Sequence, residues 1–263
     1  MRQFYLKTDP DRPPVPGDRP VLDADESHHL ATVLRGGRQE ILNLVDGRGL
    51  RMTGQPCGRQ GKLEQVELLS VQRDEDELQA PLLTLACAVV KGKRFEWTLE
   101  KAVELGVHHV IPLDTDRGTI APGSGKRDRW KTIMISALKQ SGRAWLPELE
   151  ETTSPRLVAV APGTGHILFG VVPGEFPDKG DLVRPWTFLL EEIPVCVPSA
   201  LTLMVGPEGG WSPAERETLV LAGAVPVDLN SHVLRTETAA VVGLFALQTI
   251  RRAWLDAAPC SDS

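Results

Sequence analysis

The segment Leu203-Met204-Val205-Gly206-Pro207-Glu208-Gly209-Gly210-Trp211-Ser212-Pro213-Ala214-Glu215 constrains the fold of this chain more than any other. An apolar run stops at a glycine-rich turn, and a helix start follows at once. Ser212 suits the cap position, Pro213 the first helical position, and Glu215 completes a capping box. Strand, tight turn and helix N-terminus together present bare backbone N–H groups to a ligand. Gly206, Gly209 and Gly210 permit close approach and positive φ. Taken alone, such a motif equally fits a turn that merely connects. A second segment, Asp228 to Ala240, repeats the order of strand, irregular turn and helix. Arg235 and Glu237 fall at the start of its helix. Glu237 gains from the helix dipole there, and Arg235 does not. A guanidinium beside a ligand turn suits a developing anion, or a plain ion pair with Glu237 or Asp228.

The rest of the chain divides into two patterns. Residues 1–75 read as a small β-rich unit with short apolar alternations at Ile41–Val45 and Leu63–Leu69. Turns are expected at Asp46-Gly47 and between Gly58 and Gly61, with one short helix at Glu26–Leu34. The polar stretch Gln72–Pro81 is the linker candidate. Residues 80–258 then alternate strands with helices. Leu82–Val90 reads as a strand buried on both faces, and Arg94–Leu105 as a helix stopped by Gly106. Val107–Leu113 is the next strand. Asp128–Ser141 is a helix whose Trp130, Ile133, Met134, Ala137 and Leu138 share one face. Apolar stretches recur at His166–Val172, Trp186–Leu190, Leu201–Val205 and Ala224–Leu229, before a last helix over Thr236–Trp254. This alternation predicts an α/β fold with a mostly parallel sheet, which takes ligands at the carboxyl ends of its strands.

Composition narrows the function. The 263 residues carry a formal net charge of −6, against a generic nucleic-acid binder. Basic residues nevertheless cluster: six against two acidic between Leu34 and Lys62, and eleven against six between Lys91 and Trp145. Such faces suit a specific nucleic-acid partner or ordinary solvation. No apolar run is long enough to span a bilayer, and Met1–Tyr5 lacks a signal-peptide core. The four cysteines are scattered, which predicts free thiols in a reducing cytoplasm, with neither zinc nor disulfides. His28-His29 and His108-His109 are adjacent pairs, a poor arrangement for a metal. There is no dinucleotide fingerprint, no P-loop and no nucleophile elbow.

In order along the chain stand His28-His29-Leu30 with Val33-Leu34-Arg35, then Asp46-Gly47, Lys91-Gly92-Lys93 and Glu96-Trp97. They are followed by Lys101 to Val107, Arg129-Trp130, Gln140-Ser141-Gly142-Arg143 and Pro147. Val205 to Gly210 and Leu234-Arg235-Thr236-Glu237-Thr238-Ala239 complete the series. In these motifs, over nearly its whole length, the chain resembles the RsmE-type enzymes. These methylate ring nitrogen N3 of a uridine in 16S ribosomal RNA and belong to the SPOUT, or trefoil-knot, superfamily. The resemblance implies a PUA-like RNA-binding β-barrel over 1–75 and a knotted, SPOUT-like α/β methyltransferase domain over 80–258. It implies S-adenosyl-L-methionine as cofactor, the small ribosomal subunit or its RNA as partner, and a cytoplasmic homodimer with its active site near the subunit interface. Neither membrane nor metal is implied. Carried over, Val205, Gly206, Gly209, Gly210, Leu229, Leu234 and Thr236 hold the cofactor. Arg235, Glu237 and Glu208 are the catalytic candidates. Arg2, His29, Arg35, Lys91, Lys93, Arg94 and Arg143 face RNA, with Phe4 and Tyr5 as stacking candidates.

The chain departs from the family in three places. Asn230 stands where a glycine is usual, and Asn tolerates positive φ. Only Arg117 survives from a short motif after the second strand of the catalytic domain. Over Thr152–Leu201 the match is weak, so the first cofactor loop falls in either His166–Glu175 or Phe188–Glu192. The alternatives are an enzyme of the same fold acting on another RNA position, such as transfer-RNA ribose, and an RNA-binding protein with a vestigial cofactor site.

Overall fold

A computed structural model describes residues 3–33, 40–75, 78–118, 124–176, 182–188 and 198–257. It comprises two compact units. One is Met1–Glu77 with Met134–Leu146, and the other is Leu78–Ile133 with Pro147–Ser263. The first unit is thus discontinuous in sequence.

In the first unit, β1 (Gln3–Tyr5) lies parallel to β2 (Leu42–Val45), and β3 (Leu50–Gln60) and β4 (Leu63–Arg73) follow antiparallel. This four-stranded sheet is consistent with a small barrel-like domain. The expected helix spans Ala24–Val33 (α1). Alternation in β3 and β4 sends Leu50, Met52, Val66 and Leu68 into a core shared with Phe4, Leu22, Leu30 and Leu44. Phe4 is 1% exposed. It packs beneath His29, with ring centroids 5.3 Å apart, and so is core rather than a stacking platform. Asp46 explains the tight turn after β2. Its buried carboxylate accepts from the N–H groups of Arg48 and Leu50 at 2.8 and 2.9 Å and from Thr8 Oγ1 at 2.9 Å. Gly49, at φ +92°, lies flat against Trp145, whose ring would be 2.3 Å from any Cβ there.

The second unit is a seven-stranded parallel sheet among the described residues, flanked by helices. Its strands are β5 (Leu82–Ala88), β6 (His109–Leu113), β7 (Glu148–Leu149), β8 (His166–Val171), β9 (Arg184–Pro185), β10 (Ala200–Val205) and β11 (Val225–Asp228). Their order is β7-β6-β5-β10-β8-β11-β9. The helices are α2 (Arg94–Glu104), the start of α3 (Arg127–Ser141, whose residues from Met134 on belong to the first unit), α4 (Pro155–Val160), α5 (Pro213–Leu221) and α6 (Thr236–Ala257). Every residue of β10 is buried, as the uninterrupted apolar run requires of a central parallel strand. Gly106 ends α2 at φ +83°, and Phe95 of α2 packs on Trp130 at 4.7 Å between centroids.

One strand expectation fails. Trp186 and Thr187 form a turn, and only Arg184–Pro185 pairs, beside β11. The apolar character of 186–188 serves packing: Phe188 is buried, beneath the guanidinium of Arg184 at 4.2 Å. Residues 189–190 lie outside the described residues.

Candidate active site

β8, β10 and β11 are neighbours, and all three end on the same side of the sheet. Their following loops enclose a cavity of about 560 Å³, open mouth included. After β10, Val205, Gly206, Pro207, Glu208 and Gly210 line it. After β11, Leu229, Asn230, Leu234 and Thr236 line it. Thr236 Oγ1 donates to the Gly206 carbonyl at 3.1 Å and so ties the two turns together. The third wall is Gly170 to Pro173 and Glu175, after β8. Of the two segments left open by sequence, His166–Glu175 supplies this wall, and residues 189–192 of the other lie outside the described residues.

Local chemistry explains the turn after β10. Trp211 is 1% exposed, and its indole donates from Nε1 to the Gly170 carbonyl at 2.8 Å. Its ring would be 2.9 Å from a Cβ at position 206, so Gly206 is required by close packing. Gly210 is required twice over, by φ +69° and by Glu175 Oε1, 2.7 Å from a Cβ there. Gly209 behaves differently and is absent from the cavity lining. It packs under Arg117, whose Nη1 donates to its carbonyl at 2.9 Å. The capping box forms as expected: Ser212 Oγ accepts from the Glu215 N–H at 3.1 Å, and Glu215 Oε2 accepts from the Ser212 N–H at 2.7 Å. Glu215 Oε1 also accepts from the Asp116 N–H at 3.0 Å, fixing the loop after β6.

The turn after β11 corrects an expectation. No described residue other than glycine has positive φ, so Asn230 does not imitate a left-handed glycine. Its N–H donates to Asp228 Oδ1 at 3.0 Å, and its Nδ2 to the His232 carbonyl at 3.2 Å. Side-chain hydrogen bonds close this turn instead of backbone freedom.

The catalytic candidates separate. Glu208 lines the mouth and pairs with Arg94 Nη1. Glu237 is 8% exposed on the first turn of α6 and is not itself among the cavity-lining residues, although its neighbour Thr236 is. Its Oε2 is fully buried and accepts no hydrogen bond, with the Arg94 guanidinium 3.9 Å away. Arg94, expected to face RNA, thus sits against two candidate carboxylates. The sequence missed this because all three come from different elements. Arg235 is exposed and outside the cavity lining, and among the described residues it has no ion-pair partner. Cys87, at the end of β5, is fully buried. Burial and then the charge of Glu237 push its thiol up to about 12.

Of the remaining RNA candidates, His29, Lys91 and Lys93 are exposed, whereas Arg143 is buried. Arg2 and Arg35 lie outside the described residues. Sequence reasoning also missed Glu175, Trp211, His232 and Val233 in the cavity wall. Only Trp211 had a local signal, its place beside the glycine turn. The histidine pairs behave unequally as well. His108 Nδ1 accepts from the Leu83 N–H at 2.9 Å. His109 meets Glu148 and Glu150 on the sheet edge, their donor atoms within 4.8 Å of one another.

Comparison with known proteins agrees with this architecture. The RNA methyltransferase domain family matches residues 77–248. The ribosomal RNA small subunit methyltransferase E of Mycobacterium bovis is 33% identical, over 95% of this chain and 92% of its own. The chain belongs to the RsmE family of RNA methyltransferases. Solved family structures superimpose closely. The Neisseria gonorrhoeae enzyme, bound to S-adenosylmethionine, is 30% identical with a TM-score of 0.76, covering 95% of this chain and 98% of that one. A Legionella pneumophila methyltransferase with bound S-adenosylmethionine is 29% identical with a TM-score of 0.78, covering 95% and 97%.

Proposed function

We propose that this protein transfers the methyl group of S-adenosylmethionine to N3 of a uridine in small-subunit ribosomal RNA. The observation that carries the reading is the cavity at three parallel strand ends, with its loops tied by the Thr236–Gly206 hydrogen bond. Apolar walls from Val205, Leu229 and Leu234 suit an adenine ring, and the turn backbone supplies polar contacts. The reading carries with it the trefoil knot of the superfamily, wound around these same loops, and a PUA-like role for the first unit.

The reaction demands little covalent chemistry. Uracil N3 holds a proton, and only the deprotonated ring attacks well. The N3–C bond forms as the S–C bond breaks, and that bond's electron pair stays on sulfur. Positioning supplies much of the rate. The N3 proton passes to a carboxylate, directly or through water. Glu237 is the better candidate, because its Oε2 has an unfilled acceptor site in a buried setting. Glu208 is held by Arg94 and shapes the mouth. Arg94 acts as a positioning residue for both carboxylates. Arg235 is assigned to the anion that develops on O2 and O4 of the ring, reaching it when RNA is bound.

The partners follow. Lys91 and Lys93 stand exposed just before α2 and suit RNA phosphates. Phe245, 62% exposed on α6, and Val233, 71% exposed in the cavity wall, are the apolar surface assigned to a homodimer. No helix among the described residues is long and apolar enough to cross a membrane, and a cytoplasmic enzyme meeting ribosomal RNA fits that. The deciding experiment is a mass-spectrometric map of ribosomal RNA from a strain lacking the gene, with and without the restored gene. Loss and return of one 3-methyluridine in the small-subunit RNA is expected. An unchanged map, or a change confined to transfer RNA, ends this reading.

A further inference from the structure

Two carboxylates and no lysine or arginine line the cavity among the described residues. Glu208 stands half exposed at the mouth, with a guanidinium directly on its oxygen. Glu175 is different. Its side chain is 7% exposed in the wall. Oε1 accepts from the Trp211 N–H at 2.9 Å, and Oε2 accepts from the Val172 N–H at 3.0 Å. Arg216 Nη1 donates to Oε1 at 3.5 Å and forms an ion pair with it. That guanidinium is shared, since it also donates to the Trp211 carbonyl at 3.2 Å and lies over the Phe176 ring at 5.6 Å. Glu175 Oε1 comes so near Gly210 that a Cβ there would be 2.7 Å away. A negative charge therefore stands in the cavity wall, while the cation paired with it, Arg216, lies outside the lining.

We infer that Glu175 is a specificity-determining residue for the charge of the cofactor. It favours the cationic sulfonium of S-adenosylmethionine over the neutral thioether of S-adenosylhomocysteine. This rests on the reading that the methyl donor occupies this cavity. The two nucleosides share adenosine, amine and carboxylate, so a fixed wall charge acts alike on those parts. They differ by one methyl group and one positive charge at sulfur. When the methyl cation leaves and the bonding pair stays on sulfur, the pocket loses that charge while Glu175 keeps its own. Glu175 itself lines the cavity, so its carboxylate borders the space a ligand would occupy. Charges at such separations, partly shielded from water, still interact strongly. Expulsion of the spent cofactor is the consequence.

Titration calorimetry of the full chain with each nucleoside tests this, in wild type, Glu175→Gln, Glu175→Asp and Arg216→Gln. In Glu175→Gln the preference for S-adenosylmethionine over S-adenosylhomocysteine should fall by about three- to tenfold. Glu175→Asp keeps the charge and should hold the preference within about twofold even where both nucleosides weaken, since truncation alone acts on both alike. Arg216→Gln should raise the preference, and it decides the matter if Glu175→Gln does not fold. Equal weakening of both nucleosides in Glu175→Gln makes Glu175 a loop tie only and overturns the inference. An unchanged preference in Arg216→Gln does the same. Wild-type protein that binds neither nucleoside sinks the underlying reading and this inference with it.

Discussion

At the scale of single residues, the site rests on side chains whose partners lie far away in sequence. Glu237 is the sharpest case. A buried carboxylate oxygen with no protein donor is costly and calls for a partner, which water, an ion or a substrate proton can supply. Glu237→Gln should lower kcat by about 10²-fold or more, as removal of a general base does, with little change in the cofactor KM. Single-turnover methylation of RNA with labelled cofactor checks it, and a kcat within a few-fold of wild type would clear Glu237 of the proton-transfer role. Gly210→Ala places a side chain at φ +69° and against Glu175. The left-handed conformation alone costs about 1–2 kcal/mol. Thermal unfolding should show at least that loss, and cofactor binding should weaken with it.

Cys87 offers a pH test. Its pKa is raised to about 12, so the folded state holds the proton after the unfolded chain has released it. Between an ordinary thiol value and 12 the unfolded chain binds fewer protons, and stability falls as pH rises. The fall approaches about 1.4 kcal/mol per pH unit for one group. Cys87→Ala should remove that share. Urea melts of both proteins from pH 8 to 11 should diverge at the alkaline end, and parallel curves would show that Cys87 does not contribute.

At the scale of elements, the short motifs were legible because their physics is local. Ser212, Pro213 and Glu215 specify the start of α5 whatever surrounds them, and the capping box forms. Removing its hydroxyl with Ser212→Ala should cost about 1 kcal/mol. It should also loosen Asp116, which contacts both Ser212 and Glu215. Hydrogen exchange at the Asp116 amide reads that coupling, and unchanged protection there would separate the cap from the loop. The loop after β8 was legible only as one of two alternatives. Val171 to Glu175 carries no motif, and Glu175 matters only because the Trp211 N–H arrives from the other side of the cavity. Asn230 shows the same limit. Its type allowed a left-handed turn, but Asp228 and His232 supplied hydrogen bonds that made one unnecessary.

At the scale of the whole molecule, the proposed function depends on partners. The exposed Phe245 on α6 leads to a direct test of the proposed homodimer. Phe245→Glu should shift sedimentation from dimer to monomer and reduce methylation while the monomer stays folded. A wild-type monomer at micromolar concentration would remove the dimer from the proposal. RNA affinity should fall with salt, and Lys91→Gln with Lys93→Gln should reduce the slope of log K against log salt by about 1.4, at about 0.7 per lost single-strand phosphate contact. A slope identical to wild type would place the RNA elsewhere.

The sequence by itself determined the alternation of strands and helices, the central buried strand β10, the helix caps and the two bends at Gly206–Gly210 and Leu229–Thr236. Each depends on neighbours within a few positions, through apolar period, capping or glycine geometry. Tertiary structure alone decided that β8, β10 and β11 stand side by side and that their loops close one cavity. It also decided that Arg94 faces Glu208 and Glu237, and that Glu175 bridges two walls. Those contacts join residues tens of positions or more apart, and no local propensity encodes which strand ends become neighbours.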